Sequence, residues 1–158
     1  MKHTTTLAIT AAVLIGAFGA AAAPQPNVIV ILGDDMGIDS VSAFNTKMGL
    51  KTPAIDRLAS EGMSFMDAHS TSGVCSPTRY GLLTGRYNWR SRLKRGIVGK
   101  WERPLITDAR LTLPEMFRAQ GYATCMIGKW HLGWHWPKKG GSTTEKLGEI
   151  DFRQPIKG

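Results

Sequence analysis

Cysteine is scarce in this chain of 158 residues, which contains only Cys75 and Cys125. Two cysteines can form at most one disulfide, and neither belongs to a CxxC pair or to a Cys/His cluster with zinc-ligand spacing. A disulfide scaffold and a small zinc module are therefore excluded. Acidic residues are also few, 12 against 20 lysines and arginines, and a formal charge of +8 ordinarily indicates a polyanionic partner.

Long apolar runs are limited to one, from Leu7 to Phe18, with Lys2 before it and four alanines, Ala20 to Ala23, after it. The run is shorter than the roughly 20 apolar residues that span a bilayer. A basic start, a short apolar stretch and small residues are typical of a secretory signal. We therefore predict a signal peptide over residues 1–22, a secreted or periplasmic protein, and no stable membrane span.

The rest of the chain has no internal repeat, and its 42% hydrophobic and 20% charged residues are typical of a globular domain. Residues 27–32 (NVIVIL) form a continuous apolar, β-branched run, which indicates a parallel strand buried on both faces. Residues 63–69 and 122–127 are predicted as further strands, and Cys125 is expected to be a small core residue of the last one.

Helices are predicted between these strands. The first covers residues 53–60, with Thr52 as its cap and Gly62 as a left-handed exit. Strands that alternate with helices predict an α/β fold, with a mostly parallel sheet and flanking helices.

Two more helices have clear end signals. One opens shortly after Cys75, tolerates Pro77 in its first turn and ends at Gly85. The other opens on a capping box, Thr112 to Glu115, and is closed by Gly121.

Polar clusters follow each predicted strand, at the sheet edge where α/β proteins gather their chemistry. The first cluster is Asp34-Asp35. Adjacent carboxylates at a buried strand end repel each other unless a cation neutralises them, and hard oxygen ligands favour calcium or magnesium. A solvated Asx turn is the alternative interpretation.

The second cluster is the segment CSPTRYGLLTG, from Cys75 to Gly85. A cysteine at a helix N-terminus, with Arg79 one turn later, lies where positive potential favours an anion. The alternative is a buried, inert thiol. A thiol phosphatase loop is disfavoured, because only three residues separate Cys75 from Arg79 and one of them is a proline without an amide proton.

Together these motifs resemble those of the type I sulfatases. The CxPxR segment with its leucine pair and Thr-Gly is similar to the family's first signature, and GKWHLG at residues 128–133 to its second. Asn27 to Asp35 is similar to the family's metal-binding strand end. Three motifs in the family's order make the resemblance specific. It implies an alkaline phosphatase/sulfatase-like fold and hydrolysis of a sulfate monoester.

The resemblance implies a role for each matching residue. Asp34 and Asp35 would bind calcium, with magnesium as the alternative, and Cys75 would be oxidised to formylglycine by a maturation enzyme. Its hydrate would be both metal ligand and nucleophile. Arg79 would hold the hydrate, while Lys129 and His131 would face the sulfate.

The chain departs from the family in length. Type I sulfatases complete the calcium site and the substrate contacts with residues from a later segment. We therefore expect residues 23–158 to be the N-terminal part of a sulfatase catalytic domain that is inactive alone. The alternatives are a phosphonate or phosphate monoester hydrolase of the same superfamily, and a noncatalytic secreted fragment that binds polyanions.

A basic stretch follows the first signature, with aromatic residues interleaved. It could grip a nucleic acid or a sulfated glycan, but a solvated loop near the site mouth is favoured. A sulfated small molecule or glycan is the expected substrate, and no nucleic-acid partner is expected. The stretch contains Arg86, Tyr87, Trp89, Arg90, Arg92, Lys94, Arg95, Lys100, Trp101 and Arg103.

Overall fold

The computed structural model describes residues 25–141, 146–151 and 153–154. The chain divides into two compact units, Met1–Gly33 and Asp34–Gly158. The predicted signal peptide, residues 1–22, lies outside the described residues. Within the described ranges, no helix is long and apolar enough to cross a membrane.

Three α-helices carry most of the regular structure of the described residues. Helix α1 spans Pro53–Glu61, α2 spans Cys75–Thr84 and α3 spans Leu113–Ala119. All three helices predicted from the sequence are therefore confirmed. Short 3₁₀ turns lie at Ile38–Ser40, Thr46–Met48, Asn88–Arg90, Lys139–Gly141 and Leu147–Glu149.

Thr52 lies at the N-cap position of α1 as predicted, but its side chain accepts no hydrogen bond from a backbone N–H of the helix, so the expected capping bond is wrong. Thr52 donates a hydrogen bond from Oγ1 to Oδ1 of Asp56 at 2.8 Å, and Ser42 donates to Oδ2 of the same carboxylate at 2.6 Å. The predicted left-handed exit at Gly62 is wrong, since its φ is −115°. A Cβ atom there would lie 2.8 Å from the carbonyl oxygen of Leu58, so close backbone approach explains this glycine.

The ends of α2 and α3 follow their sequence signals. Gly85 closes α2 with a φ of 63°, and Gly121, with a φ of 85°, follows α3. At the start of α3, Glu115 accepts hydrogen bonds from the N–H and the hydroxyl of Thr112, at 2.7 and 2.8 Å. The hydrogen bond from the Thr112 side chain is the main cause that lowers the pKa of Glu115.

The three segments predicted as strands form no β-ladder within the described residues. The β-pairing found there is an isolated antiparallel bridge between Lys138 and Ile150, outside these segments. The predicted mostly parallel sheet is therefore not confirmed by the structure. Their apolar side chains are exposed: Ile29 is 82% exposed, Phe65 74% and Ile127 93%. A strand buried on both faces needs neighbours that cover it and accept its hydrogen bonds. Cys125 is exposed as well, so its predicted place in the core is wrong.

A small core lies against α2. Its buried members are Tyr80, Leu93, Val98, Leu105 and Leu132, and Leu132 is fully buried. Full burial of one leucine side chain contributes about 1.5–3 kcal/mol. This core therefore fixes the second sulfatase-like signature, which contains Leu132, beside the helix that begins at Cys75.

Backbone contacts hold that signature in place. Leu105 donates its N–H to the carbonyl oxygen of Leu132 at 2.7 Å, and Trp134 donates to Glu102 at 3.2 Å. Between them, Gly133 has a φ of 81°, and a Cβ there would lie 2.2 Å from the Arg103 carbonyl oxygen. Only glycine fits this position without a shift of the backbone.

Candidate active site

Cys75 is the first residue of α2, and its free thiol is half-buried. The preceding Val74 is extended, with φ −131° and ψ 158°, so the chain turns sharply into the helix at the cysteine. Thr78 closes the first turn through its N–H to Val74 at 3.2 Å and donates its hydroxyl to Ser72 at 2.6 Å. Residue 75 therefore lies at the positive end of the helix dipole, where an anion is stabilised.

Arg79, one turn further along α2, connects two distant parts of the chain. Its Nη1 donates to the carbonyl oxygen of Lys129 at 2.6 Å, and its Nη2 lies 3.5 Å from Oδ1 of Asp34. The side chain is 12% exposed, and its buried Nε has no hydrogen-bond partner in the described residues. One donor of this guanidinium is thus left for another acceptor.

Lys129 and Asp34 form an ion pair, with 2.5 Å between Nζ and Oδ2. The hydrogen bond from Lys129 is the largest cause that lowers the pKa of Asp34, and the charges of Lys129 and Arg79 add to it. The same hydrogen bond raises the pKa of Lys129. An anion at the Cys75 side chain would act on Lys129 in the same direction, so this side chain lies close enough to the ion pair to interact with it electrostatically.

Asp35 and His131 have left-handed backbones, with φ of 56° and 54°. Among the described residues, these are the two residues other than glycine that have a positive φ. Both were predicted as site residues from the sequence. Such conformations cost of order 1 kcal/mol or more and concentrate at functional sites. The Asp35 side chain has no hydrogen bond or ion pair to any described residue.

The histidine is fixed through both its backbone and its ring. Nε2 of His131 lies 3.1 Å from the Val98 carbonyl oxygen, while its buried Nδ1 has no partner in the described residues. The carbonyl oxygen of His131 accepts a hydrogen bond from Oγ of Ser76 at 2.7 Å. His131 is thereby tied to the residue that follows Cys75.

Ser76 is a site residue that sequence reasoning missed. It is fully buried, donates to His131 and accepts a hydrogen bond from the Val98 N–H at 3.1 Å. A polar residue in the first turn of a helix is the signal that could have indicated it. Its partners could not be read from the sequence, because both are backbone groups.

The structure does not gather the predicted metal ligands. In the described part of the chain, no group of three or more His, Cys, Asp or Glu side chains is placed to hold a metal ion. Asp34 is engaged by Lys129 and Arg79, which leaves Asp35 as the carboxylate free of cations. Carboxylate oxygens suit calcium, but the two aspartates have four of them, fewer than the 6 to 8 oxygens that calcium takes. The residues present therefore do not complete a calcium site.

The remaining predicted residues lie together. Asp34, Arg79 and Lys129 contact one another, Cys75 couples electrostatically to Lys129, and His131 is anchored beside the start of α2. Two cationic side chains and one histidine thus lie near the start of the helix that begins with the half-buried Cys75. Such a concentration of positive charge stabilises a bound anion.

Comparison with known proteins identifies the class. A sulfatase family profile matches residues 26–154, and the chain belongs to this family. It is 43% identical over 109 residues to the N-acetylgalactosamine-6-O-sulfatase of Bacteroides thetaiotaomicron, covering 69% of this chain and 21% of that protein. It is 44% identical over 117 residues to mouse arylsulfatase G, covering 74% of this chain and 22% of that protein.

A solved structure gives the same result. It was reported with the metabolism of multiple glycosaminoglycans by Bacteroides thetaiotaomicron, and it superimposes with a TM-score of 0.65 at 41% identity. The match covers 74% of this chain and 23% of that one. The matched part therefore shares the fold of a sulfatase, and the chain spans about a fifth of the length of the relatives it matches.

Proposed function

We propose that this site serves the hydrolysis of a sulfate monoester, in the manner of the sulfatase family to which the chain belongs. The observation that carries the proposal is the contact of Arg79 with both Asp34 and Lys129 at the start of the helix that begins with Cys75. The predicted export signal makes the enzyme a secreted or periplasmic one.

Cys75 is the proposed nucleophile position, after oxidation of its thiol to formylglycine by a maturation enzyme. Its location is consistent with this role, because the side chain is half-buried at a helix start and close enough to Lys129 for an electrostatic interaction. At this position the hydrated aldehyde would supply one hydroxyl for attack on sulfur with departure of the alcohol, and a second hydroxyl whose loss of a proton would release sulfate and restore the aldehyde.

The other residues bind and orient the charged group. Arg79 offers its unpartnered Nε, and Lys129 keeps donors beyond the one that it gives to Asp34. Both stay cationic, since the pKa of Lys129 is raised and a guanidinium does not deprotonate in proteins. His131, whose buried Nδ1 has no partner in the described residues, is the proposed group beside the nucleophile or the leaving oxygen.

The test uses a chimera, because the chain spans about a fifth of its relatives. The chain replaces the matching segment of the Bacteroides sulfatase, and the product is expressed with a formylglycine-generating enzyme. Initial rates are then compared for an aryl sulfate, an aryl phosphate and an aryl phosphonate. We expect the sulfate to be turned over fastest. A dominant phosphonate or phosphate rate would reverse the assignment in favour of the rival hydrolase.

Cys75→Ser in the same chimera tests whether turnover requires the two hydroxyls of a hydrated aldehyde or only one hydroxyl. Serine has one hydroxyl, so the sulfated enzyme cannot release sulfate, and multiple turnover should be lost. Ordinary multiple turnover by this variant would contradict the proposed nucleophile. Cys125→Ser is the matched control, and it should leave the rate unchanged because Cys125 is exposed.

A further inference from the structure

The segment that follows α2 is an exposed aromatic-basic loop, defined here as residues 86–100. Over residues 86–103 the chain has seven basic side chains and one acidic side chain, Glu102. That carboxylate is held by Nη1 of Arg92 at 2.7 Å, so the acid of this stretch is already neutralised. Five of the other basic residues are exposed: Arg90, Lys94, Arg95, Lys100 and Arg103.

Three arginines of the loop are not used by the fold. The side chains of Arg86, Arg90 and Arg95 form no hydrogen bond or ion pair with any described residue; those of Arg90 and Arg95 are exposed, and that of Arg86 is partly buried. Lys94 is bound only through the Trp89 carbonyl oxygen, at 2.7 Å, and it keeps its charge. Cations that stabilise nothing within the chain are available for an external anion.

Two aromatic side chains are stacked on each other among these cations. Tyr87 and Trp89 stack with their ring centroids 4.0 Å apart and their planes 13° from parallel. They are 48% and 51% exposed. Because the two rings are already in contact, no planar base fits between them, and only their outer faces can receive a ligand.

The loop is held in shape by buried anchors. Asn88 is buried and donates from Nδ2 to the Leu93 carbonyl oxygen at 2.8 Å, and Leu93 and Val98 belong to the core. Ser91 accepts a hydrogen bond from the Leu93 N–H and donates to Asn88. The charged and aromatic groups are therefore presented by a folded segment, which lowers the entropy lost on binding.

The same loop is joined to the candidate active site. Val98 donates its N–H to Ser76 and lies within hydrogen-bond distance of the His131 ring through its carbonyl oxygen. A long ligand bound along the loop therefore also reaches the candidate active site near Cys75. If that site binds the sulfate ester group, the loop contacts other groups of the same molecule.

We propose that the aromatic-basic loop binds a sulfated polysaccharide, with a sugar ring on the outer face of the Tyr87–Trp89 pair and sulfate groups on Arg86, Arg90 and Arg95. The inference rests on the proposed function, because the connection to a sulfate-ester site favours this polyanion over a nucleic acid. It narrows the substrate from any sulfate monoester to a polymer with several sulfates.

Binding is tested with the 158-residue chain and a fluorescently labelled heparin fragment at physiological ionic strength. Trp89→Ala and the double variant Arg90→Gln/Arg95→Gln should each weaken binding, the double variant by about tenfold, because two surface charge contacts are lost. The double variant should also show a shallower dependence of affinity on salt, because fewer ions are released on binding. Circular dichroism melting checks that each variant stays folded.

The matched control is Lys47→Gln/Lys51→Gln, which removes the same charge from exposed lysines that precede α1. It should bind heparin almost as the parent chain does. Equal losses in the two double variants would overturn the proposal, since binding would then follow overall charge alone. Tighter binding of a single-stranded oligonucleotide than of heparin at the same salt concentration would also overturn it.

Two outcomes separate this inference from the proposed function. If the chimera turns over aryl sulfate but heparin binding ignores the loop variants, only the loop proposal fails. If heparin binding follows the loop but no sulfate is released, only the proposed function fails.

Discussion

At the scale of single residues, Arg79 does the most to assemble the site. One guanidinium reaches Asp34, which follows the first predicted strand, and Lys129, which belongs to the second signature. It is largely buried, so these contacts are little screened by solvent. The geometry requires a planar fork with several donors, which a lysine ammonium does not provide.

Arg79→Lys should therefore destabilise the chain, although it preserves the charge. Loss of the hydrogen bond to the Lys129 carbonyl oxygen should lower the free energy of unfolding by about 1–3 kcal/mol, measured by urea denaturation. The control is Arg57→Lys on α1, where the exposed arginine lies 3.9 Å from Glu61. Such a surface pair contributes about 0.5 kcal/mol or less. Equal losses in both variants would contradict the bridging role of Arg79.

Ser76→Ala should also be costly, because it leaves the buried Val98 N–H and the His131 carbonyl oxygen unpaired. We expect a loss of about 1–3 kcal/mol in the free energy of unfolding, and a shifted NMR signal of the His131 ring. Ser60→Ala is the control, since its exposed hydroxyl donates only to Arg57 in its own helix. An unmoved His131 signal would show that Ser76 does not position the histidine.

The Asp34–Lys129 ion pair predicts how the stability of the fold depends on pH, and the direction follows from the pKa shifts of both residues. The pKa of Asp34 is lowered, so its contribution to stability is present above about pH 4 and is lost as pH falls further. The pKa of Lys129 is raised, so its contribution is present below about pH 10 and is lost above that. NMR of the Asp34 carboxyl should therefore show titration below about pH 4, and titration above that value would contradict the ion pair.

At the scale of elements, the helices could be predicted from the sequence and the strands could not. Helix ends are marked by local residues, such as the capping box at Thr112 and Glu115 and the glycine at position 85, and these signals were confirmed. Strands depend on partners that are remote in the sequence. The apolar run at residues 27–32 therefore indicates that this segment needs neighbouring strands or helices to cover it, but it does not identify those neighbours.

Gly81→Ala tests how closely α2 is packed. Inside a helix this change ordinarily stabilises by about 0.5–1 kcal/mol. Here the added Cβ would lie 2.2 Å from Oγ1 of Thr71, so we expect destabilisation by about 1–3 kcal/mol in thermal or urea unfolding. Gly73→Ala is the control, because the space around that position is open. A stabilised Gly81→Ala variant would show that Thr71 does not pack against α2.

The candidate site was predicted better than the sheet. The motifs indicated Asp34, Arg79 and Lys129, and the structure brings these three into contact. Ser76 and Val98 could not be found from the sequence, since they act through backbone groups of distant segments. The metal site is still a prediction, because the described residues supply only part of an oxygen shell.

At the scale of the whole molecule, the balance of buried and exposed apolar surface is unusual. The core that packs on α2 has five buried members, while Met63, Phe65 and Ile127 are each more than 70% exposed. Apolar groups that face water favour association between molecules. A chain with this surface should self-associate at high concentration.

Phe65→Asp should reduce self-association, measured by light scattering, and leave the melting temperature nearly unchanged because the side chain is 74% exposed. Leu132→Asp is the contrasting variant. It places a charge at a fully buried position and should unfold the chain. If Phe65→Asp unfolds the chain in the same way, then Phe65 is part of the core.

Cys75 is the proposed precursor of the nucleophile, and peptide mass spectrometry across that residue tests this role most directly. The chain is expressed with a formylglycine-generating enzyme, digested and analysed. We predict that the peptide with Cys75 loses the mass that accompanies conversion of a thiol to an aldehyde, while the peptide with Cys125 keeps its thiol. An unmodified Cys75 beside a control sulfatase converted in the same cells would contradict the account.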